Sequence, residues 1–142
     1  MSTAAACCAA EEWVAVILGI GLDIVETARV RQLLDDHDQR FEELVFTPAE
    51  RGECAGRADK VQALAARFAA KEACLKALGT GWNQGVSLLQ VEVGKVKGGG
   101  GAPELRLSGQ AAERARERGV RHVHVSLTHT GAAAAATVIL EG

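Results

Sequence analysis

The chain lacks a charge excess of either sign: 16 Lys+Arg against 18 Asp+Glu over 142 residues give a formal net charge of −2. That balance makes no general case for nucleic-acid or membrane-surface binding, so any charge-driven partner must be met by a local patch. No C-x-x-C pair is present. Cys7, Cys8, Cys54 and Cys74 have no framework spacing, which suits free thiols in a reducing compartment rather than disulfides or a zinc knuckle. Long apolar runs are missing as well: Trp13–Leu22 is too short to cross a bilayer and runs straight into Asp23. The first residues lack a basic start. Met1–Glu12 is rich in Ala and Cys and ends in Glu11 and Glu12, so no targeting peptide is read there. Residues 1–12 are expected to form a disordered leader, residues 13–142 one domain with its own core, and the protein is expected in the cytoplasm.

What is present is organised around Ala63–Gly81, ALAARFAAKEACLKALGTG. At about 100° per residue, Val61, Leu64, Phe68, Leu75 and Leu78 share one apolar arc, predicting an amphipathic helix and then a glycine-flanked turn. Lys71 lies inside that arc, while Glu72 and Lys76, i and i+4 neighbours, lie along its edge. A lysine in a core stripe is costly to bury unless something pairs with it. Two readings stay open: a surface ion pair beside a snorkelling lysine, or one wall of an anion and metal site.

Trp13–Val25 is a nearly continuous apolar run that predicts a buried strand. Leu18, Ile20, Leu22 and Ile24 share one face; Gly19, Gly21 and Asp23 share the other. The glycines clear the face that bears the carboxylate, so another backbone or a ligand can approach there. The plainer alternative is a strand end with Asp23 as an N-cap. Thr27–Asp36 predicts a helix capped by Thr27, with Val30, Leu33 and Leu34 inward. Arg29 and Arg31 near its start oppose the helix dipole, which suggests service to something outside the helix; plain solvated charges are the alternative. Phe41–Phe46 reads as a shorter helical piece, Thr47-Pro48 opens a capped helix TPAERGEC, and Arg57–Lys60 is a polar linker. Leu88–Val96 and Glu104–Leu107 alternate as strands around the glycine loop 98–101, and Gly109–Arg118 is a helix ended by Gly119. Val120–Leu127 is a strand. Ala132–Leu140 is mixed, its five alanines favouring helix and Thr137, Val138 and Ile139 favouring strand; a strand paired with its predecessor across Thr130-Gly131 is preferred. The expected class is α+β, in the order β-α-α-α-β-β-α-β-β, with an antiparallel-rich sheet.

The glycine motifs are weak alone: GIGLDI lacks the third glycine of a dinucleotide fingerprint, and GTGWNQG lacks the lysine and hydroxyl of a P-loop. GTGWNQG does follow a helix carrying Arg67, Lys71 and Lys76, so its backbone could line an anion pocket. His122 and His124 have a spacing that could hold zinc, but His129 projects from the other face by parity and no third ligand is obvious. His129 lies between Thr128 and Thr130, where a side chain could reach a phosphate. Asp23 and Glu72 remain. Two oxygen ligands with no His or Cys partner suit magnesium, which fills its octahedron with water and substrate phosphates, an outline of phosphoryl transfer.

Five stretches then occur in one order: GIGLDIVETARV, FTPAERGEC, RFAAKEACLKALGTGWNQGVS, GAPELRLSGQAAERA and HVHVSLTHTG. Together they span about residues 16–141, and the chain resembles the small bacterial branch of the 4′-phosphopantetheinyl transferase superfamily, the holo-acyl-carrier-protein synthases. The resemblance implies transfer of 4′-phosphopantetheine from coenzyme A to a serine of acyl carrier protein, releasing adenosine 3′,5′-bisphosphate. It implies Asp23 and Glu72 as Mg2+ ligands and Lys76 beside the reacting phosphate. Arg67, Lys71, the turn Gly79, Thr80 and Gly81, and His129 with Thr130 are the implied coenzyme A contacts. Arg29 on the first helix would meet the acidic carrier protein. A homotrimer with active sites between subunits is implied too. Glu53 stands where the family often has tyrosine, and Thr128 where serine is common. The rivals are a coenzyme A or carrier-protein binding module without turnover, and a zinc hydrolase built on His122 and His124.

Overall fold

The computed structural model describes residues 14–81 and 84–142, so the expected leader over 1–12 and the first residue of the expected domain lie outside it. β1 (Ile17–Glu26) leads into α1 (Thr27–Val45), α2 (Pro48–Cys54) and α3 (Lys60–Leu78); β2 (Val91–Lys95), β3 (Pro103–Leu107), α4 (Gly109–Glu117), β4 (His122–His129) and β5 (Ala133–Glu141) follow. The expected order holds. Every strand pairing is antiparallel, but the strands form two sheets rather than one: β1-β5-β4, and a separate β2-β3 hairpin.

α3 departs from the amphipathic expectation. It is buried on most of its circumference, with Ala63, Ala65, Ala66, Ala69, Ala70, Ala73 and Ala77 all in the core, as befits a helix enclosed on several sides. It also starts earlier than read, at Lys60. Asp59 holds the cap position without a side-chain cap bond, its carboxylate being engaged by Arg57 at 2.8 and 2.9 Å. Its C-terminus closes at Gly79, whose φ of 70° is the left-handed cap that glycine takes without strain.

β1 lies against α3 with almost no gap. A Cβ on Gly21 would stand 1.8 Å from the Ala73 carbonyl oxygen, and one on Gly19 would stand 2.2 Å from that of Ala77. The two glycines therefore permit main chain to meet main chain. Of the two readings of that face, the close approach of another backbone is the one realised. β5 serves the same contact with small side chains: Ala134, Ala136, Val138 and Leu140 are buried, alternating with half-buried neighbours. Two of the five alanines that argued for a helix, Ala134 and Ala136, thus lie on the inward face of a strand, which is paired with β4 across the turn at Thr130.

Three further boundaries differ from the expectation. The two helical pieces 27–36 and 41–46 are one helix, α1, because Val30, Leu34, Phe41 and Val45 keep one inward stripe through the polar run between them. Its cap residue is Glu26, and Thr27 is the first helical residue. Residues Leu88–Gln90 form a single 3-10 turn before β2 instead of the start of a strand. Thr47 caps α2 as expected, in a full capping box with Glu50. Among the described residues no helix is long and apolar enough to cross a membrane.

Candidate active site

The alternation of β1 places Asp23 on the same face as Gly19 and Gly21, facing α3. Glu72 comes from α3. Both carboxylates line one cleft of about 1440 Å3, closed on its other sides by α1 and by Gly131–Ala133 of the β4–β5 turn. That turn is tied to the start of α1, Thr27 N donating to Ala132 O at 2.9 Å. Lys76, one helical turn beyond Glu72, sends its ammonium to Asp23 Oδ1 at 3.1 Å and to Leu22 O at 3.0 Å. The Lys76 ammonium and the Asp23 carboxylate thus pair between α3 and β1, and Glu72 lines the same cleft as Asp23.

Asp23 and Glu72 would suit a hard divalent ion; Glu26 and His37 also line the cleft, and no thiolate is among its described lining residues. Among the described residues no group of three or more His, Cys, Asp or Glu side chains is disposed to hold a metal. A magnesium ion held by Asp23 and Glu72 would take water and ligand oxygens at its remaining positions. Among the described residues no third ligand for the zinc reading is grouped with His122 and His124. His122 and His124 stand exposed on the outer face of β4, their ring centroids 6.3 Å apart, with Glu141 Oε1 3.7 Å from His124 Nε2.

α1 supplies the cationic wall. Arg29, Leu33, His37, Arg40 and Leu44 recur at helical spacing along one stripe of the cleft, and Arg31 joins them. Arg29 and Arg31 were legible from their odd place at a helix start. His37, Arg40 and Leu44 were missed because the helix was read as broken between 36 and 41; so was Phe68, which lines the cleft from α3.

Several expected ligand contacts lie elsewhere. Lys71 is the clearest correction. It is wholly buried, with Nζ 2.6 Å from Glu50 Oε1 and donating to Val91 O at 2.6 Å and Leu88 O at 3.0 Å. Desolvation pulls its ammonium below the ordinary lysine value, against the opposing charge and hydrogen bond of Glu50. Glu50 is itself unexposed and accepts Thr47 N through Oε1 at 2.9 Å and Val93 N through Oε2 at 3.0 Å. With its donors so engaged, Lys71 braces α3 against α2 and β2 and presents no ammonium to a ligand. It is neither a snorkelling lysine nor part of the cleft wall. Glu50 was the partner that sequence reading missed; the signal was the T-x-x-E box at Thr47.

Arg67 projects from α3 toward α2, where it donates to Glu53 Oε2 at 2.8 Å and to Ala63 O at 3.2 Å. The Thr80 hydroxyl donates to Gln84 Oε1 at 3.0 Å, between Gly79 and Gly81 of the turn that closes α3. The Thr130 hydroxyl accepts from Ala132 N and Ala133 N at 3.2 and 3.1 Å, holding its own turn. His129 is exposed at the end of β4, opposite Ala134 of β5. None of Arg67, Lys76, the Gly79–Gly81 turn, His129 or Thr130 lines the carboxylate cleft of the single chain.

A sequence model of the 4′-phosphopantetheinyl transferase superfamily matches residues 19–138. The holo-[acyl-carrier-protein] synthase of Anaeromyxobacter dehalogenans strain 2CP-1 is 52% identical over 130 residues, 89% of this chain and 98% of that protein. The crystal structure of holo-[acyl-carrier-protein] synthase from Neisseria meningitidis superposes with a TM-score of 0.80 at 34% identity, covering 88% of this chain and 98% of that one. The Helicobacter pylori enzyme in complex with coenzyme A gives 0.74 at 31% identity, covering 85% and 98%.

Proposed function

The chain belongs to the 4′-phosphopantetheinyl transferase superfamily, in its holo-[acyl-carrier-protein] synthase branch, and from that premise we propose how this chain's residues carry out the reaction. In this reading 4′-phosphopantetheine passes from coenzyme A to a serine of apo acyl carrier protein, and adenosine 3′,5′-bisphosphate leaves. The serine hydroxyl gives up its proton to solvent as its oxygen bonds to the phosphorus that bears the pantetheine arm, and the bond from that phosphorus to the bridging pyrophosphate oxygen breaks, that oxygen leaving on adenosine 3′,5′-bisphosphate. Such a step needs alignment and charge neutralisation above all. Asp23 and Glu72 would hold magnesium, which supplies positive charge at the pyrophosphate. Lys76, already at Asp23, adds a cation beside the reacting phosphate. Arg67 and His129 are assigned to the phosphates of coenzyme A, and the backbone of Gly79, Thr80 and Gly81 to the wall of its pocket.

Arg29 leads a stripe on α1 that interleaves cations with Leu33 and Leu44, a surface suited to an acidic carrier protein despite the chain's negative balance. A homotrimer fits two observations. The assigned coenzyme A contacts lie outside the cleft of one chain, and β1 exposes Ile20, Leu22 and Ile24 at 66%, 66% and 72%. A monomer rarely leaves so continuous an apolar stripe in water. A cytoplasmic setting suits the buried free thiols of Cys54 and Cys74. The observation that carries the reading is that Asp23 and Glu72, far apart in sequence, line one cleft.

The test incubates the protein with apo acyl carrier protein, coenzyme A and magnesium and reads the carrier's mass. The expected result is a gain of one phosphopantetheine, abolished by EDTA and reduced at least about a hundredfold in Asp23→Ala and Glu72→Ala. A carrier of proven apo form that stays unmodified overturns the reading.

A further inference from the structure

Arg67, assigned to a coenzyme A phosphate, is paired with Glu53, a carboxylate of the same chain. Its side chain is recessed, 11% exposed, while that of Glu53 is 46% exposed, so the anion comes from the solvent side. Contact is through one oxygen only, NH2 to Glu53 Oε2 at 2.8 Å. The neighbouring Nε–H is buried and has no hydrogen-bond partner. A guanidinium satisfied on one edge and orphaned beside it is incompletely paired, since its fork is shaped to give two parallel bonds to one anion. A phosphate group offers oxygens for both donors. The sequence places glutamate here, and no structural bond other than this one is seen for its carboxylate among the described hydrogen bonds.

We propose that Glu53 is a built-in competitor for the anion site at Arg67: its carboxylate occupies the guanidinium until a phosphate of coenzyme A displaces it, and so lowers the affinity for that substrate. This rests on the assignment of Arg67 to a coenzyme A phosphate. Removing the carboxylate frees the guanidinium and also removes a negative charge from beside the incoming phosphate, and both effects tighten binding. The size is set by an exposed ion pair, which corresponds to about a two- to fivefold change in affinity.

Calorimetric titration of coenzyme A into the full-length protein, Glu53→Gln, Arg67→Gln and the double variant tests it. Glu53→Gln should bind about two- to fivefold tighter, Arg67→Gln should bind more weakly than the unaltered protein, and adding Glu53→Gln to Arg67→Gln should tighten binding by less than it does beside the intact arginine. Glu53→Ala should repeat the gain of Glu53→Gln, which separates charge from any change of fit. Unchanged or weaker binding in both Glu53 variants, with Arg67→Gln weakened, overturns the competitor and leaves the transferase reading standing. Undiminished binding by Arg67→Gln overturns it through the arginine. Failure of the unaltered protein to bind coenzyme A sinks both.

Discussion

Lys71 and Glu50 carry opposite charges at zero exposure, so removing either leaves the other in the core without its counter-ion. Lys71→Met should lower unfolding stability by roughly 3–5 kcal/mol, read from urea denaturation, because the stranded carboxylate loses its partner. Lys76→Met is the contrast. Its side chain is 56% exposed, so its ion pair with Asp23 is reached by solvent from the lysine side; stability should move by no more than about 1 kcal/mol, the loss being read in transfer activity instead. Buried thiols give the alkaline limit. Desolvation raises both Cys54 and Cys74, the latter to about 12 from an ordinary value of 9.0. In that window the unfolded thiol gives up a proton that the folded one keeps. The stabilisation is therefore complete below the unfolded value and is lost as pH rises toward the folded one, by up to about 1.4 kcal/mol per pH unit for each thiol. Urea midpoints should fall between about pH 8 and about pH 10, less steeply in Cys74→Ala. The variant isolates the thiol from the lysines that titrate over the same range; an unchanged slope would refute the assignment.

At the scale of elements, the contact of β1 with α3 governs the site. Gly21→Ala places a methyl group 1.8 Å from a main-chain oxygen, which no rotamer change relieves. It should cost about 3 kcal/mol or more, the upper end of overpacking, and displace Asp23 from Glu72. Denaturation together with magnesium titration would show both losses, whereas an alanine variant of native stability would mean the backbones are not in contact. This element pair was partly legible. Alternation in GIGLDI put the glycines and Asp23 on one face, and the apolar arc with its edge put Glu72 and Lys76 on one helix. What escaped was the enclosure of α3, because alanine has no strong hydropathic signal and becomes a core residue only when neighbours close over it. The continuity of α1 escaped for a related reason: Asp35, Asp36 and His37 look like a break locally, while Val30, Leu34, Phe41 and Val45 reveal one stripe only over four turns. The partner of Lys71 lay 21 residues earlier in sequence, beyond any local periodicity. That is why a lysine flagged as anomalous was assigned to a ligand rather than to Glu50.

Taken whole, the molecule has one finished side and one unfinished side. The β1-β5-β4 sheet packs its inner face on α3 and leaves Ile20, Leu22 and Ile24 open on the other. Leu22→Asp, which puts a charge amid that stripe, should leave the far-ultraviolet circular dichroism unchanged and shift the light-scattering mass from three chains to one. An unaltered protein already at the mass of one chain would refute the trimer. The unfinished side lies on the strand that bears Asp23, so in the proposed trimer assembly and the proposed metal site would share one element. The inner side sets a different kind of limit. Between Gly21 and Ala73 the spacer is a bare carbonyl against a bare α-carbon, with no rotamer to hop and no methylene to slide. Warming that loosens the side-chain interior should therefore reach the distance between the two acidic groups last, so catalytic geometry should outlive the first softening of the core.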